Sequence, residues 1–261
     1  MMHVNHRYIL ELCRSLITIS SGKILDYGCG AGDIVEAGRK HGLDIYGVEA
    51  FYEGGNTREA VREKGLLGHA IKELDNDHIP FPDNNFDLVV SNQVFEHISI
   101  MHTVLKEIER VLKPGGKLFC LFPSKDVLRE GHCGIPMVHW FSKGSRYRYY
   151  WILLFRKLGL GRHKYNMSPE QWSTDFLEWL DRFTFYRSYR EINNAFLKHF
   201  SSLRHIEEDY IAYRLSDHNL RLFSKFARLT PCKYLSRWVY RKFGGMVIVA
   251  IKTNNALNSD A

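Results

Sequence analysis

Apolar residues fall into two alternating rhythms along this chain: short, nearly continuous runs, and longer stretches with apolar positions three and four apart. The first rhythm predicts buried strands and the second amphipathic helices. Tyr8, Ile9, Leu12, Leu16 and Ile19 mark a helix over 6–20, ended by Ser20-Ser21-Gly22. A short strand over 23–26, a glycine-rich loop, a helix over 34–41 closed by Gly42, and a strand over 43–49 then make one βαβ unit. The alternation continues with a helix over 57–64, a weak strand near 68–71 and a strong strand over 86–91. Val104, Leu105, Ile108, Val111 and Leu112 share one face of a helix over 101–112, which Lys113-Pro114-Gly115-Gly116 stops. The run over 117–122 is apolar on both faces, as in a parallel sheet covered by helices. Five such strands with helices between them predict an α/β fold with a doubly wound parallel sheet.

Past Pro123 the rhythm breaks, and a segment over 124–188 reads as a helical insertion after the fifth strand, serving as a lid or substrate-binding piece. A helix resumes over 189–200, a sixth strand is predicted over 202–213, and Gly245 to Ile251 is the last strand. The tail over 253–261 is polar and expected to fray. With 261 residues, 45% apolar and 25% charged, the chain suits one domain over 1–261. It has no apolar run of membrane-spanning length and no signal-peptide pattern at its start, so the expected location is cytoplasmic. Five scattered cysteines without a C-x-x-C pair suggest neither a disulfide framework nor a zinc site.

The formal charge of +7 is unevenly placed. Residues 131–165 hold seven Lys and Arg and no acid, and residues 221–243 repeat that count, so the rest of the chain is net acidic. Aromatics interleave the cations over 143–164 and 221–243. That composition fits peripheral contact with the anionic inner face of a membrane, or a nucleic-acid groove, or a solvated face over core aromatics.

The loop Asp26-Tyr27-Gly28-Cys29-Gly30-Ala31-Gly32 leaves a strand and must turn sharply to bring backbone near a ligand. Dinucleotide enzymes use such loops too, but their spacing is G-x-G-x-x-G. Here it is G-x-G-x-G, and Asp26 stands two residues before the first glycine, where a carboxylate would repel a pyrophosphate and welcome a cationic ligand. Glu49, at the end of the next strand, can accept hydrogen bonds from ribose hydroxyls.

Ile24 to Gly32, Ile79 to Ser91, Val94-Phe95-Glu96-His97-Ile98 and Glu109 to Gly116 resemble, in order, the successive motifs of the class I S-adenosylmethionine-dependent methyltransferases, type-11 group. The resemblance implies a Rossmann-like seven-stranded sheet of order 3-2-1-4-5-7-6 with the last strand antiparallel, and S-adenosylmethionine as cofactor. It implies that Asp26, Gly28 and Gly30 surround the methionine portion, Glu49 the ribose, and Asp75 the adenine, with Cys29 and Gly32 also binding the cofactor and Ser91 and Asn92 facing the transferred methyl group.

A hydroxyl acceptor needs a base, for which histidine is suited. His97, after the fourth strand, competes with His132 and His139, which bracket a Gly- and Pro-containing loop after the fifth. Each has a structural alternative as a packed imidazole. His132 and His139 without an acid triplet nearby do not make a metal site, so none is expected. The leading expectation is methylation of a small or lipid-linked acceptor, such as a hydroxyl of a sugar or isoprenoid-type compound. RNA is the runner-up acceptor, and an inactive methyltransferase-like binding protein or a nicotinamide-dependent oxidoreductase are the remaining alternatives.

Overall fold

A computed structural model describes residues 2–16, 22–52 and 55–254. Its centre is a seven-stranded sheet of β1 (Lys23–Tyr27), β2 (Asp44–Glu49), β3 (Ile71–Glu73), β4 (Phe86–Asn92), β5 (Leu112–Phe122), β6 (Ser202–His205) and β7 (Met246–Ile251). The strand order is β3-β2-β1-β4-β5-β7-β6. β1 through β5 pair in parallel, and β7 runs antiparallel to both β5 and β6. The expected order and the antiparallel last strand are both present.

Successive residues of the central strands feed opposite faces, as the pleat requires. Ile24, Leu88, Val90, Phe119 and Leu121 pack under α1 (Val4–Leu16), α2 (Asp33–Lys40), α8 (Glu207–Asp217) and α10 (Cys232–Phe243). Leu25, Val89, Leu118, Cys120 and Phe122 pack under α4 (Met101–Val111) and α7 (Tyr189–Phe196). α3 (Thr57–Glu63) adds Val61 to the first face.

The insertion carries α5 (Arg146–Lys157) and α6 (Pro169–Phe183), packed on a small core of Cys133, Ile135, Val138, Ile152, Trp172 and Leu180. Both ends of its return path are capped. Ser168 accepts from Gln171 N with Pro169 opening α6, and Ser188 forms a reciprocal capping box with Glu191 at α7.

The structure moves several sequence boundaries. The strand expected over 202–213 ends at His205, and 207–217 is α8. Glu207, Glu208 and Asp209 fill the first turn, where the helix dipole favours acids. Ile206 and Tyr210 reach the core at helical spacing. β3 lies over 71–73 rather than 68–71. Lys113 to Gly116 ends α4 but does not separate it from the strand: β5 already begins at Leu112, and a register shift against β4 absorbs the extra residues. α1 begins at Val4, while Ile19 to Ser21 and the tail from 255 lie outside the described residues.

Candidate active site

The chain leaves β1 at Tyr27 and is pinned at once to β2, because the amides of Gly28 and Cys29 both donate to Val48 O at 2.9 and 3.1 Å. Gly30 N donates to Glu49 Oε2 at 2.6 Å, and Gly32 N to Cys29 O at 2.9 Å. Gly28 has φ of +74°, and a Cβ there would lie 2.4 Å from Val94 Cγ2, so the loop closes against the segment that follows β4. The loop, Asp26, Asn92 and His6 of α1 enclose a cavity of about 160 Å³.

Asp26 is only 1% exposed, and its Oδ2 has no hydrogen-bond partner. Burial, and then the charge of Glu49, push its carboxyl up to about 8. Glu49 accepts from Gly30 N and from Ala50 N at 2.9 Å, which leaves a lone pair on each oxygen for a ligand's hydroxyls. Four of the five amides from Gly28 to Gly32 are thus spent on protein acceptors, and the carboxylates of Asp26 and Asp33 line the same cavity. A dinucleotide would find repulsion there. A ligand with an ammonium, a sulfonium and a ribose diol finds a partner for each.

Residues 25–120 match the family model for a methyltransferase domain. That stretch is similar to the methyltransferase domain of the class I, type-11 group. S-adenosylmethionine is the cofactor of that class, and the orphaned Asp26 carboxylate and the open lone pairs of Glu49 fit it.

Among curated relatives, the demethylmenaquinone methyltransferase of Symbiobacterium thermophilum is 34% identical over 139 residues, covering 45% of this chain and 52% of that protein. The ubiquinone biosynthesis O-methyltransferase of Maricaulis maris is 34% identical over 104 residues, covering 38% of this chain and 39% of its own. The chain therefore spans about half or less of the length of these relatives. An S-adenosylmethionine-dependent methyltransferase structure from Mesorhizobium loti superposes over 96% of this chain and 100% of its own, with a TM-score of 0.54 at 16% identity, a likeness of fold.

The chain places its other expected residues unevenly. Asn92 lines the cofactor cavity and accepts from Asn5 Nδ2 at 3.1 Å, which holds α1 over it. Ser91 is buried, and its hydroxyl donates to Tyr27 O, so it ties β4 to β1 and does not line the cavity. Asp75 is exposed, with its Oδ1 accepting from Asn76. Asp77, not Asp75, is the acid whose charge reaches Tyr27 and Tyr52 beside Glu49. His139 is buried inside the insertion with neither ring nitrogen hydrogen-bonded, and burial pulls its imidazole down to about 4. It lines neither this cavity nor the one described next.

A second cavity, of about 390 Å³, opens in the insertion and is walled by His132, Tyr165, Met167, Trp172, Phe176 and Trp179. His132 meets the sheet there: its ring centroid is 5.0 Å from that of His97, which follows β4. His132 Nδ1 lies 2.6 Å from Glu130 Oε1. Glu130 also accepts from Cys133 N and from the Tyr186 hydroxyl. Burial lowers the His132 imidazole, but the hydrogen bond and charge of Glu130 outweigh it and the net shift is upward. The same contacts overcome burial at Glu130 and hold its carboxyl below the usual range. Sequence reasoning missed Glu130, although it stands two residues before His132. It also missed His6, Asn5 and Tyr186.

Much of the charge in the basic segments is spent inside the protein. Arg148 pairs with Asp181 and Lys157 with Glu170, while Lys143, Arg162 and Lys164 donate to backbone carbonyls. Arg228, Arg237 and Arg241 pair with Asp209, Glu208 and Glu207 of α8. Among the described residues, Arg221, Lys225, Lys233 and Lys242 make no ion pair. The aromatics behave differently. Leu222, Phe223 and Phe226 of α9 (Arg221–Arg228) and Tyr234, Leu235 and Trp238 of α10 are about half or more exposed. They form outward stripes at helical spacing opposite the buried Ala227 and Tyr240. No described helix is long and apolar enough to cross a membrane.

Proposed function

We propose that this chain transfers the methyl group of S-adenosylmethionine to a hydroxyl oxygen of a small, lipid-borne acceptor of quinone or isoprenoid type, taken from an anionic membrane surface. The observation that carries the reading is the aromatic cavity of about 390 Å³ with His132 in its wall, beside the carboxyl end of β4. Such a lining takes a flat or hydrocarbon acceptor. Ligands of parallel sheets gather at those strand ends, next to the loop that holds the cofactor.

The bound cofactor supplies a methyl carbon made electrophilic by its sulfonium. Asp26 and Glu49 orient that cofactor by its charged and diol ends. The acceptor's hydroxyl proton is drawn away at His132 in the cavity wall, with the His97 ring packed beside it, so that the oxygen can form the new C–O bond as the S–C bond pair returns to sulfur. Trp172 and Trp179 exclude water from the acceptor side.

The exposed stripes of α9 and α10, with Lys225, Lys233 and Lys242 beside them, support delivery from a membrane surface. Relatives named for menaquinone and ubiquinone methylation point the same way. The pairing of the arginines with α8 removes most of what favoured RNA.

Labelled S-adenosylmethionine incubated with the protein and a membrane extract is expected to place its label in the organic phase. Label appearing only in RNA or only in the aqueous fraction would overturn the reading. A Phe226→Ser, Trp238→Ser variant is expected to bind vesicles containing anionic lipid about tenfold more weakly in flotation, since each aromatic loses its interfacial burial.

A further inference from the structure

Glu96, His97 and His132 each offer one candidate ligand atom, and those atoms all lie within 4.8 Å of one another. They come from two places, the turn after β4 and the loop of the insertion, so only the folded insertion assembles them. This is a different pair of imidazoles from His132 and His139. Glu96 is 2% exposed, and neither of its carboxylate oxygens has a hydrogen-bond partner. A buried carboxylate without partners is costly unless a cation or a proton satisfies it.

Both imidazoles are held in the way metal-binding histidines are held. His97 Nδ1 donates to Phe183 O at 2.7 Å, which leaves Nε2 with a free lone pair. His132 Nδ1 is tied to Glu130 Oε1, which again leaves Nε2. Glu130 is itself fixed by Cys133 N and the Tyr186 hydroxyl. The result is two neutral nitrogen ligands and one carboxylate, each nitrogen backed by an acceptor on the far side of its ring.

We infer that Glu96, His97 and His132 form a binding site for one divalent transition-metal ion of borderline softness, with zinc(II) as the representative, next to the acceptor cavity that His132 lines. Two imidazoles and a carboxylate are a ligand set suited to zinc or iron(II) and poor for magnesium. Around zinc such ligand atoms sit about 3.4 Å apart, within the 4.8 Å that bounds them in the cluster. Three protein ligands leave a position open toward the cavity that His132 lines. An acceptor hydroxyl coordinating there would give up its proton to solvent more readily, and this consequence alone rests on the proposed methyl transfer.

The test uses the full chain, stripped with a chelator and titrated with zinc(II), cobalt(II) and magnesium(II) by calorimetry, with cobalt also followed by visible absorption. One zinc ion per chain and a cobalt spectrum of nitrogen and oxygen ligation are expected, with no heat from magnesium. Glu96→Gln and His132→Ala are each expected to weaken zinc by about a hundredfold or more, and Glu130→Gln by about tenfold to a hundredfold. Each variant should keep its far-ultraviolet dichroism and its affinity for S-adenosylhomocysteine, which shows that it folds. His199→Ala, which breaks up the separate imidazole pair of His199 and His102, should bind zinc as the unmodified chain does. A folded chain that binds S-adenosylhomocysteine but no zinc would overturn the site, as would zinc binding that His132→Ala and Glu96→Gln leave unchanged. Zinc binding without methyl transfer would uphold the site and count against the proposed reaction.

Discussion

Asp26→Asn is expected to weaken S-adenosylhomocysteine by roughly a hundredfold or more at pH 8, the cost of leaving a buried cation without its counter-charge. It is also expected to stabilise the cofactor-free protein at that pH. Both effects come from a carboxyl that is buried, unpartnered and pushed up to about 8. A folded-state value above the unfolded one means stability that is fully present in acid and lost as pH rises from about 4 toward about 8, where the folded chain must ionise a buried group. Asparagine removes that loss, so the variant's melting temperature should exceed that of the unmodified protein at pH 8 and converge with it in acid.

Ligand affinity should move in the opposite direction. The ammonium of the ligand requires ionised Asp26, so affinity falls by up to about tenfold per unit below pH 8 and falls again where an α-amino group deprotonates, at roughly 8 or above. Calorimetry between pH 6 and 9 should therefore show a maximum near pH 8, and the acid limb should vanish in Asp26→Asn. A flat profile in the unmodified protein would show that Asp26 is not the ammonium's partner.

Gly28→Ala should lower stability by about 2–4 kcal/mol, read from urea unfolding, by adding left-handed backbone strain to a side-chain overlap. The new methyl would stand 2.4 Å from Val94 Cγ2. Combining it with Val94→Ala should relieve the overlap and leave the backbone strain, so the double variant recovers part of the loss. Val94 precedes Glu96 by two residues, and Gly28→Ala is therefore expected to disturb both cavities at once. Wild-type stability in Gly28→Ala would mean that the loop relaxes freely and that its closeness to Val94 is not needed.

The sheet was legible because alternation and near-continuous apolar runs are local properties, and Ile24, Leu25, Val89 and Val90 each sort to the face their parity assigns. So was half of the site. Asp26, Gly28, Cys29, Gly30 and Asn92 do line one cavity, since a glycine loop and the end of a neighbouring parallel strand must meet. The acceptor side was not legible, because the meeting of His97 with His132 depends on how the insertion folds back, with Phe185 N bonding to Glu96 O. The acid that binds His132 escaped notice for a simpler reason. The acid-free stretch opens at Gly131, one residue after Glu130. Runs of like charge misled in the same manner, since Arg237 and Arg241 find their carboxylates on α8, beyond any window of neighbouring sequence.

The placement of β7 between β5 and β6 bears on how the protein is made. Synthesis delivers β5 long before β7, and until Met246 to Ile251 emerges, the edge of β5 and the whole of β6 have no partner. An open apolar edge of that kind invites pairing with other chains. Closing this sheet thus waits on β7, and products that stop before Met246 should aggregate more readily than the chain that includes it.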